Sequence, residues 1–331
     1  MASLEPPVEP RLIRHADGIT TVDAEYVRPG FASVHVLERG GRTAIIDSGA
    51  NSSVPLVERA LALLGIDRHD VELLFLTHVH LDHAGGAGLL LQRLPQARAL
   101  VHPRGLAHLV DPTRLESATI AVYGQPGFEQ LYGRLVPIPA ERIAATQDGQ
   151  RYQLGPSELS ILHTPGHALH HQALFDPDAR AAFTGDTFGL SYRELDTEQG
   201  AMIVPTTTPT QFDPEQLLAS ITRLAELPAE ALYLTHFGRV TGISRLAWDL
   251  SEQIVSFVEI ARRHAGASDC VARIRAELRE LWVARARAHG VASPESQVDS
   301  VLAADLELNT HGLVAWLERE RRQPPPRPGA A

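Results

Sequence analysis

Thr77-His78-Val79-His80-Leu81-Asp82-His83 follows directly on the apolar run Leu73-Leu74-Phe75-Leu76, so four metal-capable side chains stand where a buried-type strand gives way to a loop. Side chains of an extended backbone alternate with period two. His78 and His80 therefore project to one side, while Asp82 and His83 lie beyond them and can aim at a neighbouring point. That geometry supports two adjacent metals. A single structural zinc takes four ligands from two short pairs, usually including Cys, and Cys270 is the only Cys of the chain.

Working outward, Ile19–Val22, Ser33–Leu37 and Thr43–Ile46 are short β-rich runs separated by turn residues, Gly40-Gly41 among them, and read as antiparallel strands. Val57, Ala60, Leu61 and Leu64 recur at helical spacing and predict a helix over 54–64. After the histidine loop come a Gly-rich helix over 85–94, a strand over 99–101 and a polar middle punctuated by Pro. Strands follow near 159–162, 172–175 and 181–184, then a helix over 216–227 and a strand over 231–234 that stops at Thr235-His236. Two strand-rich halves with helices between them predict an α/β layered sandwich.

Strand signals end after Gly242. Ile243, Leu246, Ala247, Leu250, Ile254 and Phe257 fall on one helical face, and Val271, Ile274, Leu278 and Leu281 on another. The expected organisation is a catalytic unit over 1–242, a helical extension over 243–323 acting as cap or dimer surface, and a Pro-rich, disordered tail over 324–331. The faces around Trp248, Phe257, Leu281 and Trp316 read as core or interface, which makes a homodimer the expected assembly.

Composition narrows the chemistry. The 331 residues are 44% hydrophobic, enough for a sizeable core. All 30 basic residues are Arg, because the chain contains no lysine, so neither a P-loop nor a Schiff base is available. A formal net charge of -10 repels polyphosphates and argues against a nucleic-acid partner. No stretch approaches a membrane span, the first ten residues lack the pattern of a signal peptide, and a lone Cys suits a reducing compartment; a cytoplasmic protein with a small-molecule substrate is expected.

Three further stations stand where other strands or turns end: His167 in Thr164-Pro165-Gly166-His167, Asp186 in Gly185-Asp186, and His236 in Thr235-His236. Gly166 and Gly185 lack a Cβ, which lets the backbone turn sharply against a crowded centre. This ordered set, HxHxDH, then TPGH, then GD, then a distant His, resembles the metallo-β-lactamase-fold hydrolases and, within them, the hydroxyacylglutathione hydrolase (glyoxalase II) branch. The resemblance covers roughly residues 18–239 and implies an αββα sandwich with metals at one sheet edge. It implies His78, His80 and His167 on one metal, Asp82, His83 and His236 on the other, and Asp186 bridging them.

The implied reaction is hydrolysis of a thioester, lactone or related carbonyl by a metal-bridging hydroxide. Two divalent metals about 3.5 to 4 Å apart lower the pKa of water from about 15.7 towards about 7, so no Ser or Lys nucleophile is needed. Zinc is the expected metal, with iron or manganese as alternatives that the same ligands accept. Asp82 and Asp186 are the catalytic candidates, Asp82 ligating first and accepting the hydroxide proton second.

Asp47, in Ile46-Asp47-Ser48-Gly49, sits where the resemblance places an acid that braces the histidine loop; a turn residue bonding its own backbone is the alternative. His171, four after His167, is a second supporting candidate. Phe188, Tyr192 and Arg193 follow Asp186 closely and are candidates for the substrate pocket. His102 and His163 read as packing or hydrogen-bonding residues, and the remaining histidines are assigned nothing. Competing readings keep the fold but use one iron for persulfide oxidation, or retain metal for stability alone.

Overall fold

The computed structural model describes residues 9–207 and 211–322; the Pro-rich stretch over 324–331 lies outside them. One sheet runs in chain order: β1 (Leu12–Arg14), β2 (Ile19–Asp23), β3 (Ser33–Arg39), β4 (Arg42–Ile46), β5 (Val71–Phe75), β6 (Arg98–Val101) and β7 (Ile143–Ala145). Its first four strands pair antiparallel, and β4 to β7 are parallel. The second sheet holds β8 (Arg151–Leu154), β9 (Ser157–His163), β10 (Gln172–Asp176), β11 (Ala181–Gly185), β12 (Ala231–Leu234) and β13 (Gly238–Val240). Within it only β11 and β12 are parallel.

Period-two alternation explains the layers. Leu73 and Phe75 of β5 face Leu159, Leu174 and Phe183 across the inter-sheet core, while Leu74 between them joins an outer core with α1 (Val54–Leu64) and α3 (Ala87–Arg93), which follows the one-turn α2 (Leu81–Ala84); a register shift at the start of β5 puts Val71 in the outer core as well. On the other side Ala231 and Tyr233 of β12 face inward. Leu232 and Leu234 face a third core with α6 (Pro214–Ala225) and the C-terminal helices. The molecule is an αββα sandwich with a helical C-terminal end.

The polar, Pro-punctuated middle folds as α4 (Pro103–Val110) and α5 (Thr113–Leu131), the latter broken at Gly124 (φ 72°) ahead of Pro126. Its apolar residues lack a continuous stripe, which is why periodicity alone does not disclose it. The C-terminal helices are α7 (Ile243–His264), α8 (Cys270–Ala288), α9 (Pro294–Val301) and α10 (Ala303–Arg322). Phe257, Leu278, Trp282 and Trp316 share one core with Leu232 and Phe212. Trp248 lies outside that core, 63% exposed on α7, so of the two expected places, core or interface, it does not take the first. Among the described residues no helix is long and apolar enough to cross a membrane.

Parallel pairing places the site. Because β4 and β5 run the same way, as do β11 and β12, each pair delivers its C-terminal end, and the loop that follows, to one edge. The sheets are joined there by Ser33 N–H donating to Thr235 O at 2.8 Å.

Candidate metal centre

The six histidine-loop and strand-end stations converge with Asp186 in three overlapping groups: His78, His80 and His167; His78, His83 and Asp186; and Asp82, His83 and His236. Within each group the ligand-type atoms lie within 4.8 Å of one another. His78 Nε2 is 2.8 Å from His80 Nδ1, and His167 Nε2 is 3.2 Å from the same atom. Asp186 faces both sides, with Oδ2 3.5 Å from His167 Nε2 and Oδ1 3.3 Å from His83 Nε2 and 3.8 Å from His236 Nε2. Asp82 Oδ2 is 3.2 Å from His236 Nε2 and 3.7 Å from His83 Nε2.

Other contacts fix which nitrogen each ring offers. Asp47 Oδ1 accepts from Thr77 N–H at 2.8 Å, and Oδ2 accepts from the Thr235 hydroxyl and from His83 Nδ1, both at 2.9 Å. With its proton committed to Asp47, the Thr77 hydroxyl accepts from His78 Nδ1 at 3.1 Å. His167 Nδ1 donates to Thr206 O at 3.2 Å, and His236 Nδ1 to Phe31 O at 2.8 Å. Each anchored Nδ1 leaves Nε2 as the ring nitrogen aimed at the centre, the arrangement that orients metal-binding imidazoles.

Asp47 thus bonds the histidine loop and the β12 end, not its own backbone, and it holds a left-handed φ of 60° that Asp tolerates. His171 Nε2 accepts from Asp186 N–H at 3.2 Å, and its Nδ1 lies 2.8 Å from the Thr164 hydroxyl. A Cβ at Gly185 would stand 2.6 Å from His171 Nε2 and 2.8 Å from Thr77, and one at Gly166 would stand 2.2 Å from Leu217 N, so both turns need Gly.

Electrostatics divide the centre. Burial, reinforced by neighbouring rings, holds His78 and His80 well below the ordinary imidazole value, so both stay neutral donors. Burial acts the same way on His83 and His236, but the carboxylates of Asp186 and Asp82 override it and push both up. Burial opposes ionisation of Asp82 and Asp186, yet His83 and His236 pull both well down. Two anionic carboxylates thus stand among these imidazoles, one of them buried, a charge that bound cations would balance. His83 Nε2 and Asp186 Oδ1 are buried without a hydrogen-bond partner, which a metal ion would supply. The residues present fit divalent cations.

The proposed pocket residues land differently. Phe188 and Tyr192 are fully buried in the core behind the centre, and Arg193 turns to Ser191 O and to Asp196. Beside the centre stand residues that sequence reasoning passed over. Phe31 packs edge-on to His236 at 5.1 Å and onto Tyr192 and Tyr26, whose hydroxyl donates to that of Tyr132 at 2.6 Å. Burial, with the charge of Asp82, pushes the Tyr26 and Tyr132 hydroxyls up. Arg28 lies over Phe31 and Tyr192 and pairs with Glu194. His170 was also missed: it is buried with its ring 5.5 Å from that of His80, and its place in the run Gly166–His171 was the available signal. His102 and His163 pack together, rings 4.2 Å apart.

A buried, two-sided carboxylate ringed by histidines at the C-terminal edge of an αββα sandwich defines a metal-site enzyme class. The Metallo-beta-lactamase superfamily profile matches residues 27–236, and the chain belongs to that superfamily, with the fold of its hydrolases. It is 29% identical over 181 residues to an acyl-coenzyme A thioesterase of Gallus gallus, covering 51% of this chain and 62% of that protein. It is 29% identical over 196 residues to a hydroxyacylglutathione hydrolase of Aeromonas hydrophila, covering 58% of this chain and 56% of that protein. Both alignments thus span less than two thirds of the relative. A metallo-beta-lactamase family protein of Thermus thermophilus shares the fold over 94% of this chain and 92% of its own, with a TM-score of 0.62 at 20% identity, so the likeness includes the helical end.

Proposed function

We propose that the chain is a metal-dependent thioester hydrolase, with His78, His80 and His167 holding one metal, Asp82, His83 and His236 the other, and Asp186 shared between them. The observation that carries this reading is Asp186, whose two oxygens face the two histidine groups at 3.3 to 3.8 Å. Its support for thioesters comes from the relatives named for acyl-coenzyme A and hydroxyacylglutathione. When bound, a metal pair supplies a water acidic enough to ionise near neutral pH and an electrophile for the substrate carbonyl. Zinc, iron and manganese all suit these ligands.

The chain's own residues do the rest. Asp47 holds the histidine loop against β12 through Thr77, His83 and Thr235, so ligand positions are set before substrate arrives. Asp82, the most exposed ligand of its group (22% of its side chain), is placed to take a proton from the attacking water and pass it to solvent. Phe31, partly exposed beside His236 and backed by the buried Tyr26 and Tyr132, gives that side of the centre an aromatic surface that suits an acyl chain.

Elemental analysis of protein loaded separately with zinc, iron and manganese, alongside hydrolysis of acyl-coenzyme A, S-acylglutathione and lactone substrates, tests the reading. Two metals per chain and thioester turnover are expected, and Asp186→Ala should lower turnover by at least on the order of a hundredfold and reduce metal content. Loaded protein that cleaves none of the panel overturns it. One iron per chain with oxygen uptake on glutathione persulfide would replace it with the dioxygenase reading.

A further inference from the structure

Away from the metal centre, a cavity of about 220 Å³ opens between α7, the end of α8 and the segment 199–203. Gln253, only 1% exposed, lines it. The amide of Gln253 has a settled orientation, because Nε2 donates to Ile203 O at 2.9 Å and to Asp249 O at 3.2 Å, both carbonyls that can only accept. Its Oε1 is consequently left buried with no partner. On the same wall Arg285 makes no ion pair among the described residues, and its Nε is likewise buried and unpartnered. The other charged groups of the lining are engaged: Arg245 holds Asp249 and Ala201 O, and His289 Nε2 lies 3.0 Å from Gly200 O.

The unmet chemistry is therefore one guanidinium Nε–H and one amide oxygen on the lining of a single small cavity. Each buried group left unpaired costs free energy that a ligand would return. A carboxylate satisfies Arg285 with a charge-assisted bond, and an ammonium donates to Gln253 Oε1, with Asp249, whose Oδ2 already holds Arg245, adding negative charge on the same lining. We infer that this cavity is a binding site for a small amino carboxylate, a free amino acid. An anion alone leaves Gln253 unmet, and an amine alone leaves Arg285 unmet. The site reaches the metal centre through one short segment: Gln253 ties Ile203, Val204 pairs with Leu190 beyond Asp186, and Thr206 O holds His167 Nδ1.

Calorimetric titration of the full, metal-loaded chain with each of the twenty amino acids, and with propionate and propylamine as half-ligands, tests this independently of any turnover. At least one amino acid should bind while both halves bind at least about tenfold more weakly, and Arg285→Gln should weaken binding by about tenfold or more with an unchanged melting temperature of the free protein. Binding should also slow amide exchange at Val204. The inference fails if no amino acid binds at millimolar concentration, if propionate binds as tightly, or if both Arg285→Gln and Gln253→Met bind like the parent.

Discussion

At the sheet edge, Thr77, Thr235 and His83 are buried and each is tied by a hydrogen bond to the buried carboxylate of Asp47, whereas on α8 to α10 the charged groups meet in solvent: Arg279 with Asp299, Arg275 with Glu307, Arg287 with Glu295. Both regions are rich in polar contacts, yet only the first uses them to fix positions. Out of water a lost partner leaves a desolvated group, while an exposed ion pair is screened and contributes little. The helical end is held instead by its apolar side chains, among them Phe257, Leu278, Trp282 and Leu313. One buried polar residue bridges the two regimes: Asn309 of α10 accepts from Thr207 N–H and donates to Pro205 O, beside the Thr206 carbonyl that orients His167.

Substitutions should separate the regimes in order of effect. Asp47→Ala removes the acceptor shared by Thr77, His83 and Thr235, and metal affinity should fall by about 10- to 100-fold, read by competition with a chelator. His35 gives a pH test. Burial holds its pKa down at about 4 against the favourable bond to Leu234 O and the charge of Asp47. Between an unfolded value of 6.5 and about 4 the unfolded chain binds the proton and the folded chain does not. Its contribution is thus whole above pH 6.5 and lost as pH falls towards about 4, a change of about 3 kcal/mol. Denaturant melts across that window should show His35→Gln losing less stability than the parent.

Asn309→Ala should lower stability by about 1 to 3 kcal/mol, because Thr207 N–H and Pro205 O lose buried partners, and it should also weaken metal binding through His167. A loss of stability with unchanged metal affinity would detach the helical end from the centre. Arg279→Ala comes last: its two bonds to Asp299 are exposed, and the melting temperature should not move measurably. A clear drop there would erase the distinction between the two regions.

Much of this was legible in order along the chain. The strands over 19–22, 33–37, 43–46 and 231–234 stand where alternation and turn residues put them, and the helix over 54–64 coincides with α1. The seven candidate ligands were legible because each follows a strand or turn end marked by Thr, Gly or Pro. Phe31 beside His236 was not, because nothing local distinguishes an aromatic that packs in a core from one that stands beside a centre built by distant segments. The same holds for α5, whose weak stripe carries little signal alone. Phe188 and Tyr192, candidates because they follow Asp186 closely in sequence, are fully buried, a placement that packing decides and sequence proximity does not.

The types and order of the donor groups, the absence of any lysine nucleophile and the layered α/β class can all be read along the chain, because they depend on composition and on side-chain periodicity in strands and helices. Packing in three dimensions sets the rest: that Asp186 shows one oxygen to each histidine group, which nitrogen of each ring faces the centre, and that Gln253 and Arg285 line one cavity. Such facts arise between segments far apart in the chain, where the direction of a side chain is set by what packs against it.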